Sequence, residues 1–141
     1  MTILSNIAEY IPQRPPMLLV DQLVAVGADE SGCTTILTVR DDNVLTANGY
    51  LTSEGVIEHM AQSASALAGF RAREHGAEVA PVGFIGEVKN FSIERMPRLG
   101  DTLRTEVTQG ISVGEVTTMQ VRTFIMDECV AQGLLKIAMS E

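Results

Sequence analysis

The clearest pattern of apolar and polar positions begins near Thr52 and ends near Gly76. Apolar residues recur there at spacings of three and four, at positions 56, 57, 60, 61, 64, 67 and 68, and alanine, serine and glycine fill most other positions. This spacing predicts a helix with one broad apolar face. Thr52 or Ser53 is the predicted N-cap, and Glu54 complements the positive end of the helix dipole. We expect this helix to be enclosed on nearly every side.

The rest of the chain is predicted to form strands. Residues 17–26 and 33–39 are rich in branched apolar residues and are separated by a turn between Gly27 and Gly32, which predicts a hairpin. A short helix over 3–10 precedes them and is stopped by Pro12. After a polar stretch that contains Pro81, four more extended segments follow, separated by turn signals. They span 82–93, 102–112, 115–126 and 129–139.

This order of elements predicts an α+β fold. Two strands, one long helix and four strands offer too few helices for the crossovers of a parallel sheet. The economical arrangement is an antiparallel β-sheet wrapped around one long central helix, in a single domain of residues 1–141. The chain is long enough to bury a core without metal or disulfide cross-links. Because the helix is too apolar to be an exposed cover, we expect a second subunit to complete its burial.

Composition excludes several kinds of function. The chain carries 18 acidic against 10 basic residues, a net charge of −8, which disfavours binding to nucleic acid or anionic membrane. Cys33 and Cys129 form no Cys-x-x-Cys pair, so we predict two buried thiols. We find no metal-ligand spacing or phosphate-binding glycine motif, and expect no cofactor. Without a signal peptide or membrane-span pattern, a reduced, cytoplasmic protein is expected.

Glu58 is the one side chain on the helix that its pattern does not explain. A carboxylate on an enclosed helix is costly to bury unless it is paired or protonated. A carboxyl in an apolar tunnel suits a general acid, because desolvation raises the pKa of such a group. Gln62 lies four residues later on the same face and can orient it. His59 points about 100° away around the helix, which favours a structural or interface role over that of a stand-in base.

Two stretches carry a resemblance to a known family. Residues 11–21 read Ile-Pro-Gln-Arg-Pro-Pro-Met-Leu-Leu-Val-Asp, and residues 57–62 read Ile-Glu-His-Met-Ala-Gln. They resemble the opening motif, Leu-Pro-His-Arg with an apolar run and Val-Asp, and the helix motif, Glu-Ala-Met-Ala-Gln, of the hotdog-fold beta-hydroxyacyl carrier-protein dehydratases (FabZ and FabA type). Residues 89–91 and 97–102 give a weaker third similarity. Residues 14–19, a shortened loop before the helix, and residues 68–70 are most similar to the ApeP-like dehydratase subfamily.

The resemblance implies a fold, a substrate class and a partner. Family members are hotdog dimers whose two sheets join, with the acyl tunnel at the subunit boundary. Their substrates are acyl chains linked through phosphopantetheine to an acyl carrier protein, in fatty-acid-like or, for the ApeP-like subfamily, aryl polyene biosynthesis. By this resemblance Glu58 is the catalytic carboxylate and Gln62 orients it. The assembly expected is a homodimer or higher homo-oligomer, or a heterodimer with a histidine-bearing hotdog dehydratase.

One departure from the family pattern leaves three functions open. Active members carry a Gly-His-Phe-Pro segment whose histidine, from one subunit, meets the glutamate of the other. Residues 43–51 lack this histidine, and Gln13 replaces the histidine of the opening motif. The chain is then a dehydratase that uses Glu58 alone or with a histidine from elsewhere, or a catalytically incomplete subunit of a heteromeric dehydratase. The third function is a hotdog acyl thioesterase in which Glu58 activates water or attacks the thioester.

Further site residues are predicted around Glu58. Asn48 and Gly49 occupy the place of the missing histidine segment, where they either donate hydrogen bonds to a thioester oxygen or simply form a turn. The residues predicted to line the acyl site are Met60, Phe84 and Phe91. His75, near the helix end, is predicted to be solvated. Because carrier proteins are acidic, a patch drawn from several cations is expected to receive one, scattered solvated charges being the alternative. These cations are Arg71, Arg73, Lys89, Arg95 and Arg98.

Overall fold

The computed structural model describes residues 6–76, 78 and 82–140, with the backbone alone for residues 82–84, 139 and 140. A 3-10 helix over Ile7–Glu9 opens this part of the chain, and the long helix α1 spans Ser53–Glu74. The strands are β1 (Gln22–Val26), β2 (Gly32–Thr38), β3 (Thr46–Ala47), β4 (Tyr50–Leu51), β5 (Val82–Ile93), β6 (Thr102–Val113), β7 (Val116–Ile125) and β8 (Glu128–Ser140).

Six of these strands form one antiparallel sheet in the order β1-β2-β6-β7-β8-β5. The alternation predicted for 115–126 is present, because Met119, Val121, Thr123 and Ile125 are all buried on one face of β7. Strand β5 lies at an edge of the sheet and pairs within it with β8. An antiparallel sheet around one long helix is the hotdog fold, as the sequence predicted.

The helix begins where a threonine can cap it. Thr52 Oγ1 accepts a hydrogen bond from the Gly55 amide at 3.1 Å and donates one to the Leu45 carbonyl at 2.8 Å. Of the two predicted N-caps, Thr52 is therefore the cap. Val56, Met60 and Leu67 lie on the side of α1 that is completely buried. The helix ends at Glu74, and Gly76 with φ 98° turns the chain away.

The predicted strand over 17–26 is too long. Only Gln22–Val26 joins the sheet, because the backbone of Met17 and Leu19 bonds to the side chain of Gln62 instead of a neighbouring strand. In the predicted helix over 3–10, the described part is a single 3-10 turn over Ile7–Glu9. Residues 3–5 and Pro81 of the polar stretch before β5 lie outside the described residues.

The two cysteines differ in their surroundings. Cys33 is buried in β2, and burial raises the pKa of its thiol to about 12, so it stays protonated and unreactive. Cys129 is half-buried next to the turn before β8. The prediction of a buried thiol is therefore correct for Cys33 and wrong for Cys129, because β8 begins at the rim of the sheet.

Gly69 allows the start of the described chain to pack onto α1. A Cβ atom at this position would lie 1.8 Å from the carbonyl oxygen of Tyr10, which is backbone and cannot rotate away. We expect Gly69→Ala to lower the free energy of unfolding by about 3 kcal/mol, measured by urea denaturation, because the overpacked segment must shift. Gly86→Ala is the matched control, since its Cβ would approach other atoms no closer than 3.7 Å. Equal stability of the two variants would contradict this account.

Candidate active site

The amide of Gln62 holds the carboxyl of Glu58. Gln62 is 1% exposed, and its Oε1 accepts a hydrogen bond from the Leu19 amide at 2.7 Å. Its Nε2 donates to the Met17 carbonyl at 2.8 Å and to Glu58 Oε2 at 2.8 Å. The two backbone partners fix which way the amide points, because only the nitrogen can donate and only the oxygen can accept. One hydrogen of Gln62 is therefore directed at Glu58.

Glu58 lies in an open cleft of about 260 Å³. Its side chain is half-buried, and among the residues that the structure describes it has no cationic partner. One carboxyl oxygen is held by Gln62, which leaves the other available to a ligand. The cleft is lined by Gln13, Glu58, Ala61, Gln62, Ser65, Ile85 and Ile137.

The cleft borders the sheet edge. Ile85 belongs to β5, the edge strand, and is 39% exposed although it is a large apolar side chain. Ala61 and Ser65 contribute small side chains from α1, so this face of the helix leaves space beside Glu58. The arrangement presents one carboxyl in a groove with an open side, next to the edge strand β5.

His59 points away from the cleft and is completely buried. Its Nδ1 lies 2.7 Å from the Leu19 carbonyl oxygen and its Nε2 lies 2.6 Å from Thr105 Oγ1. A carbonyl can only accept, so Nδ1 carries the proton and Nε2 accepts from the threonine hydroxyl. Burial lowers the pKa of His59 to about 4. The alternative role as a stand-in base is therefore wrong, because both nitrogens are engaged in the core and neither reaches the cleft.

Other predicted site residues lie away from this cleft. Asn48 and Gly49, with φ 55° and 83°, form the two-residue turn between β3 and β4, which is the plainer of the two predicted roles. Met60 is completely buried in the core, and Phe91 is half-buried and packs over Gly133. Neither of the two lines the cleft of Glu58, and the side chain of Phe84 lies outside the described residues.

Five residues that line the cleft were absent from the predicted site: Gln13, Ala61, Ser65, Ile85 and Ile137. Ser65 had a signal in the sequence, because it follows Glu58 by two helical turns and must share its face. Gln13 was noted only as a replacement for histidine. The strand residues Ile85 and Ile137 enter through sheet curvature, which has no local signal.

The five predicted cations do not form one patch. Arg71 bonds to Gln109 and Arg73 donates to the Glu9 carbonyl, both near the end of α1. Arg98 stacks on Tyr50, just before α1 begins, with its Cζ 5.8 Å from the ring centre. A helix of 22 residues separates these groups by about 30 Å.

The remaining cations have carboxylate partners. Arg95 pairs with Glu128 at 3.1 Å and with Asp101 at 3.8 Å. Lys89 pairs with Glu87 at 3.7 Å on the same strand. Arg95 and Arg98 lie close together, because the Arg95 guanidinium and the Arg98 amide both contact Asp101 Oδ2. Arg71 and Arg73 form a separate pair near the end of α1. His75 is exposed, as predicted, and its Nε2 lies 3.7 Å from Glu30 Oε1.

In the part of the chain that the structure describes, no helix has both the length and the hydropathy of a membrane-spanning segment. Within the same ranges, no three His, Cys, Asp or Glu side chains come together as a group that could hold a metal ion.

Comparison with known proteins gives one family and a set of similar folds. A family model of ApeP-like proteins, described as ApeP dehydratase, matches residues 5–141. No curated protein matches the chain. Among solved structures, the dehydratase heterocomplex ApeI:P from Xenorhabdus doucetiae is similar with a TM-score of 0.87 and 19% identity, over 99% of this chain and 93% of that chain.

Two other solved structures share the fold at lower similarity. A hypothetical thioesterase protein with coenzyme A from Streptococcus pneumoniae has a TM-score of 0.63 and 10% identity, over 84% of each chain. A sigma28-regulated virulence protein from Campylobacter jejuni has a TM-score of 0.67 and 13% identity, over 92% of this chain and 82% of that chain. At such identities the solved structures establish the fold alone.

Proposed function

Because the chain belongs to the ApeP-like family of dehydratases, we propose that it supplies the glutamate half of a site that dehydrates beta-hydroxyacyl thioesters. Glu58 is the general acid and Gln62 is its positioning residue. The observation that carries this proposal is the cleft itself, where a carboxyl without a cationic partner is aimed by a buried amide. The amide orients the carboxyl without adding charge to the site.

The proposed reaction needs two proton transfers. A base takes the proton from Cα of the substrate, and that electron pair forms the double bond to Cβ. The bond from Cβ to oxygen breaks, and Glu58 gives its proton to the departing oxygen, which leaves as water. Exchange with solvent then restores the acid and the base. Glu58 can perform the second transfer, and the first requires another group.

Neither of the two histidines of this chain can act as the base at Glu58. His59 is locked in the core, and His75 lies beyond the end of α1. We propose that a histidine-bearing hotdog dehydratase joins its sheet to the edge strand β5, covers the cleft beside Ile85 and presents its histidine to Glu58. A heterocomplex among the similar structures supports this reading. In such a heterodimer only one of the two sites receives both groups.

The substrate is proposed to arrive on an acyl carrier protein, linked through phosphopantetheine, in fatty-acid-like or aryl polyene synthesis. Arg95 and Arg98 are the neighbouring cations that remain for contact with this acidic partner. Arg98 is the better candidate of the two, because Arg95 is already paired with carboxylates.

A thioesterase is the second candidate function. A carboxyl in an open cleft with one available oxygen can also activate water toward a thioester carbon. The similarity to a hypothetical thioesterase protein with coenzyme A favours keeping this candidate. The two reactions differ in product, because hydrolysis releases a free thiol and dehydration does not.

An assay of the purified chain, alone and mixed with a histidine-bearing hotdog dehydratase, separates these functions. The substrate is a beta-hydroxyacyl chain on its carrier protein, with the enoyl product measured by mass spectrometry and thiol release by a colorimetric reagent. We expect the chain alone to give neither product, because it lacks a base at Glu58. We expect the mixture to form the enoyl product faster than the partner alone.

Two other results of this assay would each point to a different function. Dehydration by this chain alone would show that it is self-sufficient and would contradict the subunit role. Thiol release by the chain alone would show that the chain is a thioesterase and would contradict the proposed dehydratase function.

A further inference from the structure

Gln13 brings an unsatisfied acceptor to the cleft of Glu58. Its side chain lines the same cavity, and its amide oxygen Oε1 is buried without a hydrogen-bond partner. It is the one buried side-chain nitrogen or oxygen atom in this condition among the described residues. Leaving a buried acceptor unpaired costs free energy, so such atoms in native proteins call for an explanation.

No donor of the described residues bonds to this oxygen, and that includes the hydroxyl of Ser65, which lines the same cleft. Both amide hydrogens of Gln62 are used, by Met17 and by Glu58. The guanidinium of Arg14, the next residue, donates to three backbone carbonyls instead. These belong to Ala8, Ile11 and Gln13 itself. The acceptor of Gln13 therefore has no partner among the described residues. Because this oxygen is buried, the Gln13 side chain has to rotate toward the cleft to bond a donor that enters it.

We infer that Gln13 Oε1 accepts a hydrogen bond from the beta-hydroxyl group of the substrate. This inference rests on the function proposed above and adds a residue that recognises the leaving group. A thioester has no hydrogen to donate, and neither does a saturated acyl chain. The beta-hydroxyl is the donor that must lie beside Glu58 for its proton to be transferred, in the cleft that Gln13 also lines.

The contact also has a consequence for the reaction. A hydroxyl oxygen has one hydrogen and two lone pairs. When its hydrogen points at Gln13, a lone pair is free to face the proton of Glu58. As the bond from Cβ to oxygen breaks, the oxygen keeps its own hydrogen and gains the proton of Glu58, so water leaves while still bonded to Gln13. Gln13 thus selects hydroxyacyl over saturated acyl chains.

Binding measurements test this selection without turnover. Calorimetry compares two pantetheine amides, one beta-hydroxyacyl and one saturated, of the same chain length, with the assembled complex. We expect Gln13→Leu to weaken binding of the hydroxyacyl ligand by about threefold to tenfold, the value of one hydrogen bond, and to leave the saturated ligand unaffected. The melting temperature should stay equal or rise, because the unpaired acceptor is gone. Gln13→Met repeats the removal with a linear side chain.

Gln120→Leu is the matched control, since Gln120 is exposed on β7 and should change neither ligand. An equal loss for both ligands would overturn the inference, because Gln13 would then contact the pantetheine arm or the chain. So would an unchanged hydroxyacyl preference in the Gln13 variants. If the unaltered complex binds neither ligand, the proposed function itself fails and this inference fails with it.

Discussion

Replacing Glu58 by glutamine should abolish dehydration while leaving the fold intact. We expect Glu58→Gln to lower kcat of the assembled dehydratase by about 10²- to 10⁴-fold, the usual contribution of a general acid. Glutamine has nearly the same shape but cannot give up a proton to the departing hydroxyl. Its side-chain oxygen can still accept the hydrogen bond from Gln62 Nε2, which now spans 2.8 Å. The local structure therefore has no reason to change.

The matched control is Glu54→Gln, because Glu54 lies one turn earlier on the same helix and is exposed. Initial rates of enoyl formation and the melting temperature are measured for both variants. Glu54→Gln should retain its turnover, and both variants should melt close to the unaltered chain. Full turnover by Glu58→Gln would contradict the assignment, and a large drop in its melting temperature would show that Glu58 is structural.

The second large effect is a loss of stability in acid that comes from His59. Burial lowers the pKa of this histidine from 6.5 to about 4. Between these two pH values His59 is protonated in the unfolded chain and neutral in the folded chain. Stability is complete above pH 6.5 and is lost as the pH falls toward 4. Between pH 7 and pH 5 we expect His59 to reduce the free energy of unfolding by about 2 kcal/mol.

This effect can be isolated because the chain has only two histidines. In His75→Gln, His59 is the sole histidine, and its ring is followed by NMR while urea denaturation is measured at each pH. The ring should stay neutral down to pH 5, and the stability loss should persist. A ring that titrates near pH 6.5 would contradict the buried, neutral histidine. His59→Gln should lose this part of the pH dependence.

Features set by local spacing could be predicted from the sequence. The helix and the pair Glu58 and Gln62 follow from periodicities of three to four residues, and residue type limited the cap to Thr52 or Ser53. The alternation in β7 follows from the period of two. These features need only the geometry of one element. Counting the elements predicted an antiparallel sheet around one helix, and the family resemblance implied the hotdog fold.

Features set by contacts between distant segments could not be predicted. Residues 17–21 have the composition of a strand, but the backbone of Met17 and Leu19 bonds to the buried amide of Gln62, which is 45 and 43 residues away in sequence. Spacing indicated that His59 turns away from Glu58, yet its partner Thr105 is 46 residues distant. The cations Arg71 and Arg98 were grouped by charge, whereas a helix keeps them apart.

The role of Glu58 in a shared site is tested most directly by complementation. A histidine-bearing hotdog dehydratase with glutamine in place of its own helix glutamate retains a base but no acid. Mixed with this chain, it should regain turnover of a beta-hydroxyacyl carrier-protein substrate, because Glu58 supplies the missing proton. Mixed with the Glu58→Gln chain, it should stay inactive. Equal turnover in the two mixtures, or none in either although the complex forms, would contradict the account.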